Sequence, residues 1–210
     1  MRSVLLSLVL ASTGFAQQPA AEAGESAAKH WGRFFRTVER ENYRAPTAGE
    51  RWEIYWRSTY ASPGTFFRAA GPALGDHLND RPEVWPQGAE GYSRRFANRF
   101  ARFALQDSMS HAASAALGYE VRYVKCGCQG VGRRLGHALL WNFLTLNRTG
   151  GTVFNAPRVG AAFAAEFIGN AWMPAGYRTR EEAFRGVGIQ LGVGAFFNVV
   201  REFAPQRKKP

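Results

Sequence analysis

The chain has 210 residues, 46% of them hydrophobic and 14% aromatic, with a formal net charge of +11. That apolar fraction is enough to bury a core and excludes wholesale disorder, and two cysteines exclude a disulfide-dense miniprotein. No run of about 18 apolar residues follows the extreme N-terminus, which speaks against a polytopic transporter.

The positive charge is almost wholly arginine, since Lys29, Lys125, Lys208 and Lys209 are the only lysines. At the N-terminus Arg2 supplies a positive charge, residues 4–11 are apolar, and Gly14-Phe15-Ala16 sets small residues where a signal peptidase reads them. The pattern predicts a signal peptide over residues 1–16 and export across the inner membrane to the periplasm or envelope. There the polyanions are lipid headgroups, lipopolysaccharide and wall polymers. An anionic membrane surface or another envelope polyanion is therefore the expected partner, and nucleic acid is not.

Residues 17–26 lack apolar periodicity and read as a flexible lead-in. Trp31, Phe34, Phe35 and Val38 then recur at i, i+3, i+4 and i+7, which predicts a helix ended by Pro46. Thr47 and Glu50 have the form of a capping box, opening a short helix with Trp52, Tyr55, Trp56 and Tyr60 along one side. Pro63-Gly64 breaks it, and an apolar run covers residues 66–78. After a proline-rich turn at 80–86, with Pro86 suited to a first helical position, residues 87–117 hold no proline, and Gly118 stands where a C-terminal cap belongs. Such a helix would be roughly 46 Å long.

Residues 119–124 have strand character without an evident partner, and the loop Cys126-Gly127-Cys128-Gln129-Gly130 follows. Helical patterns return at 133–146, 157–173 and 179–203, separated by turns at 147–152 and 174–176, and residues 206–210 form a basic tail. The expected fold is all-α: one domain over residues 27–205, a bundle of six or seven helices around one long central helix.

Small residues recur at helical spacing. Gly71 and Gly75, Gly132 and Gly136, and Gly188 and Gly192 each form G-x-x-x-G, while Gly160 with Ala164 and Ala165 with Gly169 are small pairs. Each helical glycine costs on the order of 1 kcal/mol relative to alanine. Close helix packing would offset that cost, either in a soluble core or in a lipid-embedded or self-associating face that makes a homo-oligomer. In the long helix Phe96, Phe100 and Phe103 form one stripe and Arg95, Arg99 and Arg102 a parallel one. The arrangement lets rings enter an apolar layer while guanidiniums reach phosphates; the alternative is a buried phenylalanine face flanked by solvated arginines.

Cys126 and Cys128 form a C-x-C that an oxidising compartment could close into a redox-active or structural disulfide. As metal ligands they lack a second cysteine pair, with only His137 nearby. Asp107 and His111 lie one helical turn apart, a spacing suited to general-base chemistry or to local helix support. Glu166, alone in an apolar segment, invites an arginine partner or a buried polar network. No G-x-S-x-G, H-E-x-x-H, P-loop or dinucleotide fingerprint occurs, and no residue is assigned to catalysis, a metal or a cofactor.

From Arg51 onward the chain resembles a family of uncharacterised exported proteins encoded mainly in acidobacterial genomes. The resemblance is carried by Thr59-Tyr60-Ala61-Ser62-Pro63-Gly64-Thr65-Phe66, by Gln87-Gly88-Ala89-Glu90-Gly91-Tyr92 with Arg95, by Arg158-Val159-Gly160-Ala161-Ala162, and by Asn198-Val199-Val200-Arg201-Glu202-Phe203. It implies export and small-residue-rich helices, with no activity to carry over, and the chain departs from the pattern at Cys126 to Gln129. Two functional expectations result: a non-enzymatic, membrane-associated or self-assembling envelope protein, or a periplasmic enzyme or redox protein using Cys126 and Cys128 or Asp107 and His111.

Overall fold

The computed structural model describes residues 37–204. The expected signal peptide at 1–16, the lead-in at 17–26, Trp31, Phe34, Phe35 and the tail at 206–210 lie outside them.

Among the described residues there are six α-helices: α1 (Ala48–Thr59), α2 (Pro63–Leu78), α3 (Gly88–Leu117), α4 (Val131–Leu140), α5 (Ala156–Gly169) and α6 (Arg180–Phe203). The fold is an all-α bundle, with α3 as its long central member. The helix starts follow from local chemistry. Thr47 and Glu50 form the reciprocal capping box at α1, and the side chains of Ser62, Asn155 and Thr179 accept from the third residue after each at α2, α5 and α6. Gly118 ends α3 in the left-handed region at φ 72°. Gln87, rather than a residue before Pro86, is the N-cap of α3, so Pro86 stays in the preceding turn.

Three stretches depart from their helical reading. Thr37–Val38 form strand β1, paired in parallel with β2, Tyr123–Val124, so residues 119–124 find their partner far upstream, where local pattern cannot show it. The helix expected at 133–146 stops at Leu140, and Leu144–Leu146 (β3) pairs antiparallel with Thr152–Phe154 (β4). The cause is the Asn147 turn: its Oδ1 accepts from the amides of Thr149 at 3.0 Å and Gly151 at 2.8 Å, and Gly150 takes φ 82°. The helix expected at 157–173 tightens to a 3-10 turn at Asn170–Trp172.

Packing places α1 and α2 against one side of α3 and α5 against another, with α6 on α5 and α4 on α6. The interior is chemically unusual. Its small apolar cluster is Val38, Val124 and Leu146 with Tyr43 and Trp141 at the two short sheets. Between the helices the buried apolar residues are mostly alanines, among them Ala69, Ala73, Ala162, Ala165 and Ala183, while large rings such as Trp52, Phe66, Phe67, Phe184 and Phe196 face outward.

Candidate functional site

The space that small alanines leave between helices is filled by arginines and acids. Arg95 is fully buried; its guanidinium donates to the carbonyls of Arg81 (2.9 Å), Pro86 (2.8 Å) and Pro82 (3.0 Å) and reaches Asp80 at 3.2 Å. Arg99 grips Asp76 in a two-pronged pair, Nε to Oδ2 at 2.6 Å and Nη2 to Oδ1 at 2.8 Å. Arg102 pairs with the buried Glu166, whose other oxygen accepts from Gln190 at 3.2 Å. The expected contact of Arg95, Arg99 and Arg102 with membrane phosphates is thereby overturned: each already has a desolvated acceptor set, and extracting it would leave that set unpaired. Of the accompanying rings Phe103 is buried, while Phe96 and Phe100 are half-buried.

The glycine-spaced positions make few helix contacts within the described chain. Around Gly132, Gly136, Gly160, Gly188 and Gly192 nothing lies within 4 Å of where a side chain would start, so within the described chain these positions do not bring helices together. The glycines that do permit close approach face polar side chains. A Cβ on Gly169 would sit 2.6 Å from Arg102, and one on Gly186 or Gly194 would overlap Glu166 or Arg158. Glycine thus makes room for the interior charges. Gly188→Ala and Gly192→Ala, on the exposed face of α6, are each expected to raise the unfolding free energy by about 0.5–1 kcal/mol in a denaturant titration. A loss of stability would instead show that face packed in the native state.

Cys126 and Cys128 are disulfide-bonded, with their Cα atoms 5.0 Å apart, in a loop tied to the end of α6. The fully buried Glu202 accepts from the Cys126 amide at 3.2 Å, the Tyr123 hydroxyl at 2.8 Å and Arg134 at 3.0 Å. Burial, then the bond to Glu202, holds the Tyr123 phenol far above its ordinary range. His137 is stacked on Trp141 at 4.0 Å with Nε2 on the Val124 carbonyl, and among the described residues no three His, Cys, Asp or Glu side chains gather to hold a metal.

Asp107 and His111 do meet, at 3.7 Å between Oδ2 and Nε2. Ser58 Oγ lies 3.4 Å from the same Asp107 oxygen and 3.5 Å from the same His111 nitrogen. A nucleophilic relay needs the serine and the carboxylate on opposite ring nitrogens. Here both crowd Nε2, and Thr59 also donates to Asp107, so the group is a hydrogen-bonded tie between α1 and α3. Burial holds His111 below its ordinary 6.5, against the pull of Asp107 and with the push of Arg68 and Arg51. The unfolded chain therefore takes up the imidazole proton before the folded chain does. Stability is complete above pH 6.5 and declines as pH falls from there toward the folded-state value. The expected result is an unfolding free energy that rises as pH is brought up toward 6.5, with that rise removed in His111→Gln.

His111 also lines two cavities. One is an open, largely apolar cleft of about 720 Å³ bounded by Pro46, Trp52, Tyr55, Ala112 and Ala115. The other is a polar chamber of about 40 Å³ where Arg68 of α2, Asp107 of α3, Arg158 of α5 and Gln190 of α6 converge. Sequence reasoning missed Arg68, Arg158 and Arg201 as a group, and the buried acids Asp76, Glu120 and Glu202. The available signal was a charged residue isolated among apolar ones, as with Glu166.

On the outside, aromatic rings form a connected surface across α1, α2 and α3. Trp56 meets Tyr60 at 5.0 Å, Tyr60 meets Phe100 at 6.5 Å, Phe100 meets Phe96 at 6.3 Å, and Phe96 meets Phe66 at 5.3 Å. Trp52 is 65% exposed, Phe67 57%, Phe66 55% and Trp56 52%. Comparison with protein family models, curated proteins and solved structures returned no match.

Proposed function

We propose that the protein is an exported, non-enzymatic component of the cell envelope that lies in the interfacial layer of a membrane through the aromatic face of α1, α2 and α3. The observation that carries this reading is the exchange of roles between inside and outside: arginines and acids are buried while linked tryptophan, tyrosine and phenylalanine rings are exposed. In water such a contiguous apolar patch costs roughly 25 cal/mol per Å², and membrane interfaces favour tryptophan and tyrosine for their mixed character. Arg57 and Arg94 on the same helices are exposed, in surface pairs with Glu53 and Glu90 that headgroup phosphates can replace at little cost. Among the described residues α6 alone is, by length and composition, apolar and long enough to cross a bilayer. With 16 residues in α2 and 14 in α5, against about 20 needed for a span, the bundle suits the interface better than the bilayer core. The signal-like first sixteen residues support delivery to that location.

Flotation with vesicles of phosphatidylglycerol and phosphatidylcholine tests the reading. The purified chain is expected to float with the vesicles, and a variant carrying Trp52→Ser, Phe66→Ser and Phe67→Ser to stay behind while keeping its helical circular dichroism. Successive salt and carbonate washes of envelopes from cells expressing the precursor then separate electrostatic from apolar attachment. A protein found wholly in the soluble periplasm and indifferent to vesicles overturns the proposal.

A second reading, thiol–disulfide exchange, is favoured by one observation, the bond between Cys126 and Cys128 in a half-exposed loop. Titration after mild treatment with a dithiol is its test, with two new thiols expected and none overturning it.

A further inference from the structure

The interior arginines fall into two classes. Arg95, Arg99, Arg102, Arg122 and Arg134 each hold a carboxylate. Arg68, Arg158 and Arg201 hold none among the described residues. Arg68 instead rests over the rings of Phe103 at 4.8 Å and Phe197 at 5.4 Å. Arg201 has only a 3.5 Å contact to the Asn198 side chain, and Nε of Arg158 is buried without a hydrogen-bond partner.

Of the two acids near them only Asp107 keeps a charge that no arginine pairs. Asp107 accepts from Thr59 and Ser58, and Glu120 is bound by Arg122 at 2.8 Å through both Nε and Nη2. Three cations thus gather around a single carboxylate, Asp107, that is free to offset them. Burial, then the neighbouring arginines, lowers the proton affinity of Arg158 to about 10 and of Arg201 to about 9. Such an uncompensated cluster is costly in a low-dielectric interior unless an anion completes it.

The space for that anion is present. Arg68 and Arg158 line the polar chamber together with Gln106, Ser110 and Gln190, which can donate hydrogen bonds, and with the carboxylates Asp107 and Glu120, of which Glu120 is held by Arg122. Its volume is about 40 Å³. Since a water needs about 10–15 Å³ of such space, the chamber fits a group of about three to four water-sized atoms rather than an organic metabolite. Gly194 adds a second sign of a built site, because any side chain there would overlap the Arg158 guanidinium.

We propose that this chamber is a binding site for a phosphate group, gripped by Arg68 and Arg158, with Arg201 adding positive charge. Guanidinium forks match phosphate oxygens in pairs, and the lone Nε of Arg158 is the missing half of such a fork. The phosphate can be free, or it can be the headgroup of a phosphomonoester lipid whose chain occupies the apolar cleft on the other side of His111. The site does not depend on the membrane reading, since inorganic phosphate alone can test it.

The experiment is a thermal-unfolding and calorimetric titration of the full chain at fixed ionic strength, with inorganic phosphate, with chloride, and with phosphatidylcholine vesicles with and without phosphatidic acid. Phosphate is expected to raise the unfolding midpoint where chloride does not, and Arg158→Met to weaken phosphate binding at least tenfold. The same substitution should raise the midpoint of the phosphate-free protein, because it removes an unpaired buried cation; a merely structural arginine would do the opposite. Arg68→Met provides a second variant if Arg158→Met does not fold, with the same weakening expected. A shift produced only by phosphatidic acid assigns the phosphate to a lipid and supports the proposal. Equal shifts with chloride, no shift with either phosphate source, or an undiminished shift in the folded variants overturns it.

Discussion

Replacing Glu166 by alanine is expected to lower the unfolding free energy by about 3–5 kcal/mol, because it strands a guanidinium inside the bundle. The Arg102 and Glu166 side chains are 4% and 1% exposed, so neither charge has water to fall back on. After the change Arg102 keeps neutral acceptors, the Glu166 carbonyl at 3.0 Å and the Asn98 side chain at 3.1 Å, which stabilise a cation less than a carboxylate does. Gln190 loses its acceptor as well. The double variant Arg102→Met with Glu166→Leu is expected to recover most of the loss, since an apolar pair of similar size needs no desolvation. Denaturant titration of the three proteins checks this. A single variant within about 1 kcal/mol of the parent would mean that the pair does not form.

Arg95→Ala carries the second large effect, again about 3–5 kcal/mol. Its guanidinium fastens the loop before α3 by donating to the carbonyls of Arg81, Pro82 and Pro86, so one side chain satisfies several backbone acceptors at once. Gly91 lets that loop close over it, because a Cβ there would overlap the Pro86 carbonyl and lie 2.7 Å from Arg95. Arg95→Lys is expected to rescue less than half of the loss, since an ammonium cannot span acceptors arranged for a planar fork. Limited proteolysis should show new cleavage at residues 81–87 in the alanine variant. A loop that stays resistant would overturn the assignment.

Helical periodicity and caps were legible wherever the determinants were local. The Thr47 and Glu50 box and the Gly118 stop of α3 stand in the sequence as they stand in the fold. The β1–β2 pair was not legible, because Val38 needs Val124 and no spacing rule joins positions so far apart. The hairpin at Asn147 was masked by apolar residues that continue the helical period of α4 into β3. The α3 stripes were seen correctly as stripes and given the wrong direction. An amphipathic pattern locates two faces, but which faces inward is decided by partners on other helices, here Asp76 and Glu166. The glycine spacing does not show which glycines the bundle needs, for the same reason: Gly186 and Gly194 matter for the charged side chains beside them, whereas Gly188 and Gly192 have no neighbour within the described chain.

An interior built from charge pairs and alanine also sets how stability responds to temperature. Exposing apolar surface raises the heat capacity on unfolding, and exposing polar surface lowers it. Because much of what α2, α3, α5 and α6 bury between them is guanidinium, carboxylate and amide, the increment for this protein should fall below the usual ~12–15 cal/mol/K per residue. Scanning calorimetry of the chain in buffer reads it directly, and a value at or above that range would contradict the polar interior. A small increment flattens the stability curve, and the hydration that buried charges give up becomes less favourable on warming. The bundle is therefore built to keep a modest free energy of folding across a wide span of temperatures, instead of a high maximum near one of them.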